Sequence, residues 1–452
     1  MNKKFLYLPI EVKNRELVSK LLLAFEAVSR GYKVVIGHRI SLIEKIPFLN
    51  PGIFFNMHAL EHDFNHLCRL KKNGFIISAL DEEGPFIHDE ENHKKYRVSH
   101  QTLSIVDNFF CWGSREKQII LSKYPEFSSK LSLVGNPRFD LLRSEFRHFT
   151  DEDSSRIKMK YGDFILINSN FGRFNNFVGL DDYIEILEED GRLSDPVDKK
   201  FYMDEILYQQ EVMPEFIKMA KHLAEIFPDK NIVVRVHPSE KISTWEEACK
   251  DFKNIHITRE GNVLQWIAAC SQLIHNNCTT AIESYVMGLQ AISYRPVKWK
   301  EHVNLLPNIL SYEIDSLDEL VEHIKTSTNR SPGYENKSYL EEYVVSLEQQ
   351  LSFQKIVDRF EDYVVIPKTI NLLIKNKFFR ILAELFYQVK LFIRILVKGE
   401  FRLDYEANKF SGISVEEVRA IHSALNRNKS FSEISITKYG KNCIEINALQ
   451  NK

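Results

Sequence analysis

The chain has 452 residues, 44% of them hydrophobic and 27% charged, with a formal net charge of -2. That length exceeds what one hydrophobic core organises, so two or three domains are expected, and a near-neutral balance excludes general nucleic-acid binding. Six scattered cysteines without a CxxC pair exclude a structural zinc motif and read as buried thiols of a reducing compartment.

The opening MNKKFLYLPI has an apolar run too short for a signal peptide, and no run of about 18 uncharged apolar residues predicts a membrane span. Residues 5–8 predict a buried strand ended by Pro9. Residues 15–30 predict a helix with Leu17, Leu21, Leu22 and Phe25 on one face, closed by Gly31. Further strands are expected at 32–37, 53–57, 74–79, 108–112 and 131–134. Strands separated by helices imply βαβ units and a parallel sheet.

After a polar break near 141–160 the pattern restarts. Strands are expected at 164–168, 231–236, 254–258, 272–275 and 291–294, with helices at 211–227 and 279–287 among them. One helix is expected at 339–362, then Pro367, a basic amphipathic stretch at 368–402, and a small helix-plus-hairpin unit. The expected division is an N-terminal α/β domain over 1–155, a second α/β domain over 156–335, a closing helix over 336–366 and a basic amphipathic extension over 367–452. Parallel sheets bind ligands beyond the carboxyl ends of their strands, so residues just after strands carry the functional expectation.

Four strand ends stand out. Asp81-Glu82-Glu83-Gly84 follows an apolar strand, where a carboxylate can deprotonate a hydroxyl or attack an anomeric carbon; the same acids also suit a solvated loop or a helix start. Arg235-Val-His237-Pro238 places a histidine where it can donate to a phosphate or protonate a leaving group, or simply lie in a surface turn. Thr279 and Thr280 sit at a helix start, fit to bind phosphate or to cap the helix, with Glu283 one turn on to hold ribose hydroxyls. Asn168-Ser-Asn170-Phe-Gly172-Arg173 offers small polar groups and a glycine that permit close approach of a ligand, or a plain turn.

Taken together, Glu82-Glu83-Gly84, His237-Pro238 and Thr279-Thr280 resemble the GT-B glycosyltransferases that use CMP-activated ulosonic acids, the bacterial sialyltransferases and Kdo transferases. The segments 134–140 (VGNPRFD) and 168–173 look like the group called surface carbohydrate biosynthesis proteins. The resemblance spans residues 1–330. It implies two Rossmann-like domains facing a cleft, the α/β GT-B fold with a helical C-terminal extension. It also implies a catalytic carboxylate among Asp81, Glu82 and Glu83, and a CMP phosphate held by His237 and the threonine pair. Asp140 is a second candidate carboxylate, or a cap for the helix after it. The nucleotide set is then Asn170, Gly172, Arg173, Arg235, His237, Pro238, Thr279, Thr280 and Glu283. Without a DxD motif at a strand end, no metal and no cofactor is expected, the CMP-sugar being a substrate. The expected acceptor is an oligosaccharide or a lipid-linked glycan. The alternatives are a CDP-glycerol- or UDP-sugar-dependent GT-B transferase, or a non-catalytic assembly scaffold.

Residues 368–402 hold eight basic and two acidic residues, a net +6, interleaved with Leu, Ile and Phe. On a helix they predict docking on the anionic inner face of the cytoplasmic membrane, or packing on the domains with the basic stripe solvated. The expected location is therefore cytoplasmic and peripheral to that membrane.

Overall fold

The computed structural model describes residues 4–83, 90–299, 305–326, 336–363, 381–382, 384–390, 409–427, 430–440 and 442–449. Gly84 and most of the 368–402 stretch lie outside the described residues. In chain order the strands are β1 (Lys4–Ile10), β2 (Tyr32–His38), β3 (Ile53–Asn56), β4 (Ile76–Leu80), β5 (Asn108–Cys111), β6 (Leu131–Leu133) and β7 (Phe164–Asn168). They continue with β8 (Asn231–Arg235), β9 (Ile255–Thr258), β10 (Gln272–His275), β11 (Ile292–Tyr294), β12 (Tyr312–Ile314), β13 (Ile434–Gly440) and β14 (Cys443–Ala448).

The chain forms two compact units. One comprises residues 1–149 with 339–452, the other residues 150–338. The C-terminal residues thus belong to the first unit, where the sequence set them apart as an extension. Their hairpin joins its sheet because β14 pairs antiparallel with β2, matching Ile444 to Ile36 and Ile446 to Val34.

The first unit's sheet runs β13-β14-β2-β1-β3-β4-β5-β6. From β2 to β6 it is parallel, and all but the edge strand β6 are largely buried apolar runs covered on both faces, as parallel sheets require. The order changes direction between β1 and β3. Pro9 does not end β1: it stays in the strand opposite Gly37, beyond the short pairing of β1 with β3.

The single helix expected over 339–362 is two, Lys337–Tyr343 and Ser352–Glu361. The chain breaks between them because Val345 N–H donates to Trp112 O (2.8 Å) and Ser346 Oγ to Val134 O (3.1 Å), with Ser346 at φ 71. Asp140 rebuilds the second helix start: its two carboxylate oxygens accept Ser352 N–H and Phe353 N–H, both at 2.9 Å. These are among the amides that a helix start leaves without intrahelical partners.

The second unit has the order β12-β11-β10-β7-β8-β9, all parallel. This is the doubly wound Rossmann order, with the switch point between β7 and β10. Its core gathers Ile165, Ile167, Val234 and Ile274 from the strands against Phe216, Met219 and Leu223 of the helix Pro196–Ile226. That helix begins fifteen residues before the expected 211, where the Asp195 carboxylate accepts Val197 N–H (2.8 Å) and Asp198 N–H (3.3 Å).

Candidate functional site

In the second unit, register aligns three strand ends. Asn168 of β7 lies opposite Arg235 of β8 on one side and His275 of β10 on the other, at the switch point. The loops that leave these strands hold most of the predicted nucleotide residues.

One residue the sequence reading passed over organises them. Glu240 is fully buried and accepts Ser169 Oγ–H (2.6 Å), Phe171 N–H (3.1 Å), His237 N–H (3.3 Å) and Trp245 Nε1–H (3.0 Å). A buried carboxylate is stable only when so satisfied. The one sequence signal was its place three residues after His237.

His237 and Pro238 are exposed. His237 Nδ1 accepts Ser239 N–H (3.2 Å) and lies 2.7 Å from Ser239 Oγ. Two donors at Nδ1 leave the proton on Nε2 in the neutral ring. Desolvation by the surrounding loops, with the guanidiniums of Arg235 and Arg259, lowers the imidazole pKa. The ring is open by surface area, so the two positive charges are the firmer cause; both favour the neutral form. A neutral ring with its proton on Nε2 is placed to donate a hydrogen bond to a phosphate, the first of the two roles expected of His237.

Arg235 Nη2 donates to Gly261 O (2.9 Å), and its buried Nε has no hydrogen-bond partner. Arg259, which follows β9 and was not foreseen, donates to Glu240 O. Arg173 turns away: its guanidinium lies over the rings of Phe201 (5.2 Å) and Tyr202 (4.9 Å), with Nε 3.7 Å from Glu205. Gly172 makes room for the protein itself and not for a ligand, since a Cβ there would meet Ser239 Oγ at 1.8 Å. Asn170 is partly buried in the same loop.

The third loop is shaped by His275. It is fully buried, its Nδ1 accepts Cys278 N–H (3.1 Å), and its Nε2 lies 2.9 Å from Ser311 Oγ. Desolvation pushes its pKa down to about 3. Thr279 precedes the helix Thr280–Val286 without a side-chain cap bond. Thr280 Oγ1 accepts Asn168 Nδ2–H (3.0 Å) and donates to Cys278 Sγ (3.1 Å), and Glu283 is buried one turn on. Asn168 Oδ1 and Asn276 Oδ1 are buried without hydrogen-bond partners. Two such bare acceptors beside a cationic strand end suit a ligand with both hydroxyl donors and an anion.

In the first unit the three acids divide. Asp81 is buried, and Arg97 holds both its oxygens through Nε (2.9 Å) and Nη2, keeping its pKa low despite desolvation. Glu83 is exposed and pairs with Arg97 at 2.8 Å and Arg15 at 3.6 Å. Glu82 is buried with Lys20, Oε1 to Nζ 2.7 Å, while Oε2 has no hydrogen-bond partner. Desolvation and the Glu82 charge together raise the pKa of Glu16 on the same helix as Lys20. Asp140 is no second catalytic carboxylate: it is fully buried and both oxygens are spent on the Ser352–Glu361 helix. Burial raises its pKa to about 6.

The first unit's own switch point, between β1 and β3, holds groups the sequence reading missed. Asp63 is fully buried and accepts Arg39 Nη2–H (2.6 Å) and Asn56 Nδ2–H (3.1 Å), and contacts His58 Nδ1. The signal was Asn56-Met57-His58 directly after an apolar strand. Among the described residues, His58, His62 and Asp63 have the composition of a metal site, with ligand atoms within 4.8 Å of one another. Both Asp63 oxygens are already acceptors, so the group is built as a hydrogen-bonded cluster.

No protein-family model matches the chain, and no curated protein matches it at a significant level. Solved structures do resemble it. A UDP-N-acetylglucosamine 2-epimerase is 11% identical, with 81% of this chain and 99% of that one covered and a TM-score of 0.52. The UDP-GlcNAc 2-epimerase of Methanocaldococcus jannaschii is 13% identical, with coverage of 80% and 100% and a TM-score of 0.50. The chain therefore has the two-domain α/β fold of the GT-B type. No helix among the described residues is long and apolar enough to cross a membrane.

Proposed function

We propose that the chain is a glycosyltransferase that takes its sugar from a nucleotide donor and builds a surface polysaccharide or lipid-linked glycan. The donor we infer is CMP-activated: Kdo, pseudaminic or legionaminic acid, or sialic acid. One observation carries this reading. At the switch point of the second unit, Asn168 lies in register with Arg235 and His275, and the neutral His237 stands beside Arg235 and Arg259. One Nε2–H donor and two guanidiniums suit a single phosphodiester such as that of a CMP-sugar.

In the transfer, an acceptor hydroxyl oxygen attacks the anomeric carbon as the bond to the phosphate oxygen breaks. The electron pair leaves with CMP, and the hydroxyl proton passes to a carboxylate. Glu82 is the carboxylate we infer, because Arg97 occupies both oxygens of Asp81 whereas Glu82 Oε2 has no hydrogen-bond partner. His237, Arg235 and Arg259 stabilise the charge that develops on the leaving phosphate, so no metal is required of this reading.

A second reading has its own observation. Two solved structures with a TM-score of at least 0.50 are named UDP-GlcNAc 2-epimerases, which favours a UDP-sugar ligand. Thermal-shift titration with CMP, CDP, UMP and UDP separates the two. Stabilisation by CMP above the others, and transfer from a CMP-sugar that survives EDTA, is the expected result. Stabilisation by UDP alone, with conversion of UDP-GlcNAc in the absence of an acceptor, overturns the CMP reading.

A further inference from the structure

The helical residues 384–390, with Ile381 and Leu382 just ahead of them, are oriented against the usual rule for a surface helix. Such helices turn their apolar stripe inward and their charges to water. Here the charges face the first unit. Glu384 Oε2 lies 2.8 Å from the Nζ of Lys45, a lysine only 1% exposed. Lys390 Nζ lies 2.6 Å from Glu44, and Tyr387 is buried with Lys45 Nζ 5.2 Å from its ring centre. Gly440 makes the first anchor possible, because a Cβ there would lie 2.4 Å from Glu384 Oε2 and 2.8 Å from Lys45 Nζ. The opposite face is apolar and open. Ile381, Leu385 and Val389, spaced four apart, are 58%, 57% and 57% exposed, and Phe386 is 40% exposed beside them.

A contiguous exposed apolar ridge marks an interaction surface. The charge of its sequence neighbourhood selects the occupant. Residues 368–402 carry a net +6 within a chain of net -2. A second copy would bring the same positive charge to the contact. A ridge of four side chains also covers far less than the ~800 Å² per partner of a stable protein interface. An anionic bilayer meets both properties, taking apolar side chains below its headgroups and attracting the lysines and arginines that neighbour them in sequence.

We propose that Ile381, Leu385, Phe386 and Val389 form a membrane-insertion ridge that docks this protein on an anionic lipid surface, with the Glu384–Lys45 and Lys390–Glu44 pairs fixing the ridge outward. This holds whichever nucleotide the second unit takes.

The test is flotation of the full-length protein with vesicles of phosphatidylcholine alone or mixed with phosphatidylglycerol. Binding to the anionic vesicles, weakened at least ~10-fold at high salt, is expected. Replacing Ile381, Leu385 and Val389 together with serine is expected to weaken it ~10-fold or more, with an unchanged melting temperature because these three side chains face solvent, whereas Phe386 packs on Phe48 at 5.8 Å. A Glu384→Gln variant, which frees the inward anchor, is expected to weaken binding through a misplaced ridge. Failure of the intact protein to bind either vesicle, equal binding to both, or full binding by the triple variant overturns the proposal. So does a concentration-dependent dimer that the triple variant abolishes without any effect of lipid.

Discussion

Ser239 occupies the space that a Cβ on Gly172 would fill, 1.8 Å from its Oγ, and it is the same Ser239 that supplies two donors to His237 Nδ1. Gly172 therefore acts on His237 through a third residue. Gly172→Ala is expected to push Ser239 aside, with an overpacking cost of about 1–3 kcal/mol, and to weaken nucleotide binding about tenfold. Adding Ser239→Gly removes both the Oγ and the Cβ, which would lie 1.8 Å and 2.9 Å from the new methyl group, and should recover most of the melting temperature but not the affinity. Calorimetric titration of both variants checks this; additive losses would mean that the two residues are independent.

His237→Ala is expected to lower kcat by about 10²-fold or more with the fold intact, since an Nε2–H donor at a developing phosphate charge is lost. His237→Gln, which keeps an N–H donor, should retain more activity than the alanine variant. Equal loss in both would assign His237 a different role.

Glu82→Gln should abolish transfer by ~10²-fold or more while leaving CMP affinity unchanged, because the carboxylate serves the sugar or the acceptor. Lys20→Met tests its setting separately. Leaving Glu82 buried and unpaired should cost about 3–5 kcal/mol of stability. If Glu82→Gln stays active, Glu83 is the next carboxylate to replace.

Asp140→Asn is expected to act on stability alone. One amide oxygen cannot accept both Ser352 N–H and Phe353 N–H as the carboxylate does, so about 0.5–2 kcal/mol of helix-start stabilisation is lost. Activity per folded molecule should remain near wild type. A large fall in kcat with an unchanged melting temperature would return Asp140 to the catalytic set.

His275 predicts an acid limb of stability. Its folded pKa is lowered by burial to about 3, below the unfolded value near 6.5, so the unfolded chain takes up the proton first. The contribution is complete above about pH 6.5 and is lost as pH falls toward 3. His66 and His93, both lowered to about 4 chiefly by desolvation, act in the same direction. Asp140 and Glu116, whose folded pKa values burial raises to about 6 and about 8, act in the opposite direction, so the readout is the difference between proteins. Between pH 6.5 and 4.5 the melting temperature of His275→Gln should fall less steeply than that of the wild type, and equal slopes would refute it.

Local pattern alone marked eleven of the fourteen strands among the described residues, because each is a short apolar run bounded by polar or glycine residues, and a strand buried on both faces needs little more. The strand ends His237-Pro238 and Asp81-Glu82-Glu83 were legible for the same reason: polar residues that interrupt an apolar run stand out. What each of those residues does was decided elsewhere in the chain. Asp140 reads as a candidate catalytic carboxylate or a cap for the helix after it until Ser352 and Phe353, more than two hundred residues on, take both its oxygens. Gly172 reads as a ligand-facing glycine until Ser239 fills its space, and Glu240 offers only its place three residues after His237 until four donors converge on it. Hydrophobic patterning is a property of neighbours in sequence. The satisfaction of a buried charge is a property of neighbours in space, so the partners that set the roles of Asp140, Glu240 and Lys45 could be read only from the tertiary structure.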